Sequence, residues 1–145
     1  MRILAVDPGD RNLGIAISDP TGTIANPLTV LKHVARLLDA AVIVELAQKN
    51  EVGLIVVGQA LDEDGYPGFQ ARKAVRLAEA IKGQTSLPVE LWDESGSTQE
   101  ARSARIAMGG SKRSKKGHMD ELAATVILQS YIEDNLMNRR PMDLK

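Results

Sequence analysis

Two uninterrupted apolar runs, Ile3-Leu4-Ala5-Val6 and Leu54-Ile55-Val56-Val57, constrain this chain more than any other feature. A strand with one wet face alternates apolar and polar residues, whereas a run without a polar position suits a strand covered on both faces. Such strands need helices above and below them. The first run predicts a strand over residues 2–6, followed by the turn Asp7-Pro8-Gly9-Asp10 and a second strand over 15–18. Asp19-Pro20-Thr21-Gly22 marks the next turn, and a third strand over 23–31 must lie at a sheet edge because Pro27 cannot donate to a ladder. A helix follows over 34–48, with Leu37, Leu38, Ala41, Val42, Ile43, Val44, Leu46 and Ala47 as one broad buried face. The second buried strand spans 52–57, and its position after a helix argues for a parallel crossover. A turn-rich loop (59–68), a helix (69–82), a strand (87–92), a helix opened by the capping box Ser97-Thr98-Gln99-Glu100 and reaching about 108, and a last helix (119–136) complete the order. The expectation is an α/β fold: a mixed five-stranded sheet, three antiparallel strands then two parallel crossover strands, flanked by helices.

The 145 residues, 43% of them hydrophobic, suffice for one domain over 1–137, with a mobile polar tail over 138–145. There are no cysteines, so thiolate metal sites, disulfides and cysteine nucleophiles are excluded. The apolar start is too short for a signal peptide and no stretch reaches membrane-spanning length, so a cytoplasmic location is expected.

Acidic residues stand at three special places. Asp7 follows the first strand, Asp93-Glu94 follows the fifth, and Asp120 opens the last helix on the side of Ala123, Ala124, Ile127 and Tyr131, away from the polar stripe Glu121, Thr125, Gln129 and Glu133. Functional groups gather at the carboxyl ends of parallel strands, so Asp7 and Asp93-Glu94 are expected to be neighbours. Each acid alone suits a turn or a helix start. Together they suggest convergence, and converging carboxylates need a positive partner. With no spare buried Lys or Arg near these positions in sequence, a hard divalent cation, Mg²⁺ or Mn²⁺, is the simplest neutraliser. Two such ions about 4 Å apart suit phosphodiester hydrolysis. The cluster Asp62-Glu63-Asp64-Gly65 lacks the ligand spacing of a calcium loop and reads as a turn.

Net charge is −1, but Arg102, Arg105, Lys112, Arg113, Lys115 and Lys116 form a stretch without an acid, suited to phosphate contacts or to a solvated loop. Aromatic residues make up only 3%, too few for a row of base-stacking platforms, so recognition of structured RNA or branched DNA by shape is expected.

Asp7-Pro8-Gly9 with Arg11 and Gly14, Ser18-Asp19-Pro20, Val56-Val57-Gly58 with Asp64-Gly65 and Gly68, Leu91-Trp92-Asp93-Glu94, and Met119-Asp120-Glu121-Leu122-Ala123-Ala124 with Ile127-Leu128-Gln129 and Tyr131 together resemble the YqgF/RuvX family over about residues 1–137. The resemblance implies an RNase H-like fold, related to the Holliday junction resolvase RuvC, in a family whose members are designated candidate pre-16S ribosomal RNA nucleases. It implies Asp7, Glu94 and Asp120 as catalytic metal-binding carboxylates with Asp93 adjacent; Arg11 and the basic stretch are expected, from their charge, to face nucleic acid. The chain departs from the family pattern: Ser95 and Gly96 replace an Arg and an apolar residue, and Gln59, Ala60 and Asp62 alter the loop after Gly58. The turn Asp7-Pro8-Gly9 also differs from the family's usual Tyr-Gly-Thr. A resolvase acting on branched DNA and a non-catalytic nucleic-acid-binding module linked to transcription stand as alternatives. An ATPase of the actin and sugar-kinase type needs two lobes and is too large for this length. A homodimer is compatible with the residues, and they leave the role of His33 open; His118 reads as a loop residue.

Overall fold

The structure, a computed structural model, describes residues 1–59, 69–93 and 116–143, with the side chains of 69–70, 116–121 and 137–143 outside that description. Among the described residues the order is β1 (Arg2–Pro8), β2 (Asn12–Ser18), β3 (Ala25–Lys32), α1 (Arg36–Lys49), β4 (Val52–Gln59), α2 (Phe69–Lys82), β5 (Val89–Asp93) and α3 (Lys116–Asp143). The strands form one sheet in the order β3-β2-β1-β4-β5. Pairs β1–β2 and β2–β3 are antiparallel, and β1–β4 and β4–β5 are parallel. This is the mixed five-stranded sheet that the sequence predicts. Pro27 sits on the edge strand, where its missing N–H leaves no central ladder broken.

The two apolar runs are buried on both sides, as their composition requires. On one side Leu4, Val6, Leu13, Ile15, Ile17, Ile55 and Val57 pack against Ala40, Ile43, Val44 and Ala47 of α1 and Ala74, Leu77, Ala78 and Ile81 of α2. On the other side Ile3, Ala5, Ala16, Leu54 and Val56 pack against Ala124, Ile127, Leu128, Tyr131 and Ile132 of α3. Burying a large aliphatic side chain contributes roughly 1.5–3 kcal/mol, so these two layers hold the fold together.

Four expectations need correction. Helix α1 buries Ala40, Ile43, Val44 and Ala47, while Leu37, Leu38 and Val42 are 66%, 57% and 40% exposed. Its sequence is apolar around most of its circumference, so periodicity could not choose which stripe meets the sheet. It also starts later, at Arg36, because the buried Asp39 carboxylate accepts the Val34 N–H (3.1 Å) and pairs with His33 Nδ1, holding 33–35 out of the helix. Helix α3 begins at Lys116, so His118 is helical and not in a loop. At the other end its backbone continues to Asp143 through residues expected as a tail, since extending an existing helix needs no new nucleation. The expected helix over 97–108 and the loop over 60–68 lie outside the described residues. No described helix is long and apolar enough to cross a membrane.

Candidate active site

Asp7 is not beyond its strand, as the turn signal suggests, but in the ladder, paired with Gly14 of β2. The tight turn explains this: Gly9 N–H donates to the Asn12 carbonyl (3.0 Å), which lets pairing run out to Pro8 and Leu13. A Cβ at Gly9 would lie 2.5 Å from the Asn12 oxygen, so only glycine closes this turn. Because Ile3 and Ala5 belong to the α3 layer, strand alternation places Asp7 on that side, where it is half-buried.

The sheet around Asp7 lacks bulk. Ala5 is two residues back, and Gly14 and Ala16 lie on β2. Gly58 on β4 stands one step beyond the Val6–Val57 pair. A Cβ at Gly58 would lie 2.6 Å from Ile127 Cδ1, so α3 comes down directly onto this strand end. Further along α3, Tyr131, Ile132, Asn135 and Leu136 share a shallow cleft of about 160 Å³ with Met1 and Ile3 at the opposite end of β1. Helix α3 therefore runs antiparallel to β1, and its N-terminal segment lies toward the carboxyl ends of β1 and β4. Asp120 belongs to that segment, seven residues before Ile127, or about 10 Å of helix.

Asp93 does not join Asp7. It is the last residue of β5, paired with Gln59, and β4 lies between the two strands, a lateral offset of about 9–10 Å. Val89 packs in the α1/α2 layer and Trp92 in the α3 layer, so alternation places the exposed Asp93 on the α1/α2 side. The two acids do share the edge of the sheet formed by the carboxyl ends of the parallel strands, with β4 between them. Glu94, Arg102, Arg105, Lys112, Arg113 and Lys115, and the side chains of Asp120 and Lys116, lie outside the described residues. Arg11 is exposed in the β1–β2 turn. Among the described residues no three metal-ligating side chains stand together.

Other polar groups here are structural. Trp92 Nε1 donates to Ser130 Oγ (3.1 Å), its ring meets Tyr131 edge-on at 5.4 Å, and the Tyr131 hydroxyl donates to Glu90 (2.8 Å). These aromatics join β5 to α3. Asp19 accepts hydrogen bonds from the Thr21 hydroxyl and the Thr23 and Ile24 N–H groups, which hold its carboxyl well below the usual range. Gln129 ties α3 to the same turn, its side-chain oxygen accepting from Ala25 N–H (2.9 Å).

A second cleft of about 190 Å³ opens on the α1/α2 side, beside the turn that follows Asp7. It is lined by Pro8, Gly9, His33, Arg36, Asp39 and Lys73 among others. Lys73 of α2 donates to the Gly9 carbonyl (3.3 Å) and to Asp10 Oδ1 (2.9 Å). No sequence motif singles out Lys73; it sits 64 residues from Gly9, and only the tertiary fold brings the two together.

Three antiparallel strands, two parallel crossover strands and a final helix lying across the first three define the RNase H-like class, with an aspartate at the carboxyl end of the central strand. The fold is similar to Thermus thermophilus RuvC in complex with a Holliday junction substrate, with a TM-score of 0.58 at 15% identity over 94% of this chain and 96% of that one. It is also similar to the fowlpox virus resolvase in complex with Holliday junction DNA, with a TM-score of 0.55 at 17% identity over 94% and 99%. The family described as RuvX, Holliday junction resolvase, matches residues 1–134, and the chain belongs to that family. A relative from Thermoanaerobacter pseudethanolicus, 40% identical over 92% of this chain and 96% of its own, carries the name "Putative pre-16S rRNA nuclease". One from Anaeromyxobacter sp. (strain Fw109-5), 41% identical over 92% and 97%, carries the same name.

Proposed function

We propose that this protein is a divalent-metal-dependent endonuclease that hydrolyses phosphodiester bonds in structured nucleic acid, with the ends of pre-16S ribosomal RNA as its substrate in the cytoplasm. The observation that carries the proposal is the position of Asp7. It stands at the carboxyl end of the central strand, on a floor of glycine and alanine, beneath the end of α3 that bears Asp120. The small floor lets α3 pack close to the sheet beside Asp7, where bulkier side chains would hold the helix away. Family membership over nearly the whole chain supports the same conclusion.

Asp7, Glu94 and Asp120 are the residues we assign to the metal, and their all-oxygen donor set fits Mg²⁺ or Mn²⁺. Asp93, on the other face of its strand, is left out. When bound, such ions lower the pKa of a coordinated water and neutralise charge on the leaving oxygen. The chain's own contribution is geometric: the β1 ladder fixes Asp7, the packing of Ile127 on Gly58 sets the height of α3, and Arg11 with the basic stretch from Arg102 to Lys116 holds the substrate backbone.

Cleavage of a pre-16S RNA fragment and of a four-way DNA junction, with Mn²⁺ or Mg²⁺ and with EDTA, tests the proposal. Metal-dependent loss of the RNA is the expected result. Loss of the junction alone moves the substrate to branched DNA, the alternative favoured by the fold shared with two junction-bound resolvases. No cleavage of either substrate overturns the enzyme and leaves a nucleic-acid-binding module.

A further inference from the structure

We infer that Lys73 is a positioning residue, bracing the turn that carries Asp7 on one side and Arg11 on the other. The inference rests on the nuclease proposed above. Three long-range or closing contacts fall on consecutive residues of that turn. Gly9 N–H closes it from within on Asn12 O, and Lys73 Nζ holds Gly9 O and Asp10 from the α2 side. The Arg11 carbonyl accepts the His33 N–H at 2.8 Å from the β3 side.

Lys73 is suited to this task because it is rooted in a packed stretch of helix. It projects from α2 between Ala71 and Ala74, both buried against the sheet. Its side chain is only 25% exposed, whereas Asp10 is 69% exposed. An ion pair to so exposed an acid contributes little by itself. The contact with the Gly9 carbonyl differs, because a backbone acceptor has no rotamer to escape into, so the ammonium fixes the main chain two residues from Asp7. Through Lys73, α2 acts on a site that lies on the other face of the sheet.

Positioning and substrate contact separate kinetically. Misplacing a reacting group lowers kcat, while losing a phosphate contact weakens binding and raises KM. The test compares the full chain with Lys73→Met and Lys73→Arg, using Mn²⁺-dependent cleavage kinetics and ¹⁵N relaxation of Gly9 and Asp10. Lys73→Met is expected to lower kcat about tenfold with KM within about twofold of the parent, and to increase the picosecond–nanosecond mobility of both amides. Lys73→Arg, which keeps a donor in reach, is expected to restore most of both. An unchanged kcat, a rise in KM alone, or amides as rigid in Lys73→Met as in the parent overturns the inference. If the parent protein cleaves no substrate, the proposed function fails, and the relaxation measurement alone decides whether Lys73 braces the turn.

Discussion

The two faces of the sheet are built differently. Toward α1 and α2 the central strands present Leu4, Val6, Leu13, Ile15 and Val57, and every one is essentially dry. Toward α3, near the carboxyl end of β1, the same strands present Ala5, Gly14, Ala16, Gly58 and the half-buried Asp7. One face is filled for cohesion. The other is thinned so that a helix comes close beside a carboxylate, and under the proposed function the difference makes stability and activity separable by face.

The largest expected effect is also the sharpest test of that separation. Asp7→Asn should lower the cleavage rate by about 10²–10³-fold, as removing one group that stabilises transition-state charge does elsewhere. Its thermal midpoint should stay close to the parent's, because the amide has the shape of the carboxylate and Asp7 is only half-buried; a large fall in the midpoint would assign Asp7 to the framework. Ile55→Ala on the filled face should do the reverse. A fully buried isoleucine truncated to alanine costs about 2–5 kcal/mol, measurable by urea denaturation, with kcat of the folded fraction unchanged.

Gly58→Val probes the boundary between the two. The added methyls meet Ile127, which is fully buried, so about 1–3 kcal/mol of stability should be lost to overpacking, together with activity as α3 is lifted. Stability lost without activity would mean that the height of α3 does not matter to the site.

The smallest effect belongs to Asp19, a carboxylate at the other end of the sheet whose work is local. Its pKa is depressed in the folded protein, chiefly by the Thr21 hydroxyl, so its contribution is present above the unfolded value of about 3.9 and is lost as pH falls through the folded value. The stability gap between the parent and Asp19→Asn should therefore be full at pH 7 and shrink steadily below about pH 4. Cleavage at pH 7 should be unchanged. A gap that does not vary with pH would mean that the amide satisfies the same donors.

The filled face was legible in the residues because runs such as Leu54–Val57 carry no polar position and admit few environments. The edge position of β3 was legible in Pro27 for a similarly local reason. The stripe by which α1 meets the sheet was not, since Leu37, Leu38 and Val42 are as apolar as Ile43 and Val44, and only the neighbouring layers decide which are covered. The position of Asp7 at the carboxyl end of β1 was legible from the apolar run before it. The face on which Asp93 lies was not, because the offset between parallel neighbours is a tertiary quantity that a strand's own pattern does not record. Lys73 escaped for the same reason.

Helix α3 is last in the chain yet covers β1, β2 and β3, which are first. During synthesis the sheet therefore leaves the ribosome with that side bare until α3 has emerged. Contacts of such long sequence separation fold slowly. A nascent chain that stalls before α3 holds an open apolar sheet, so the packing of α3 covers an aggregation-prone surface in one late step.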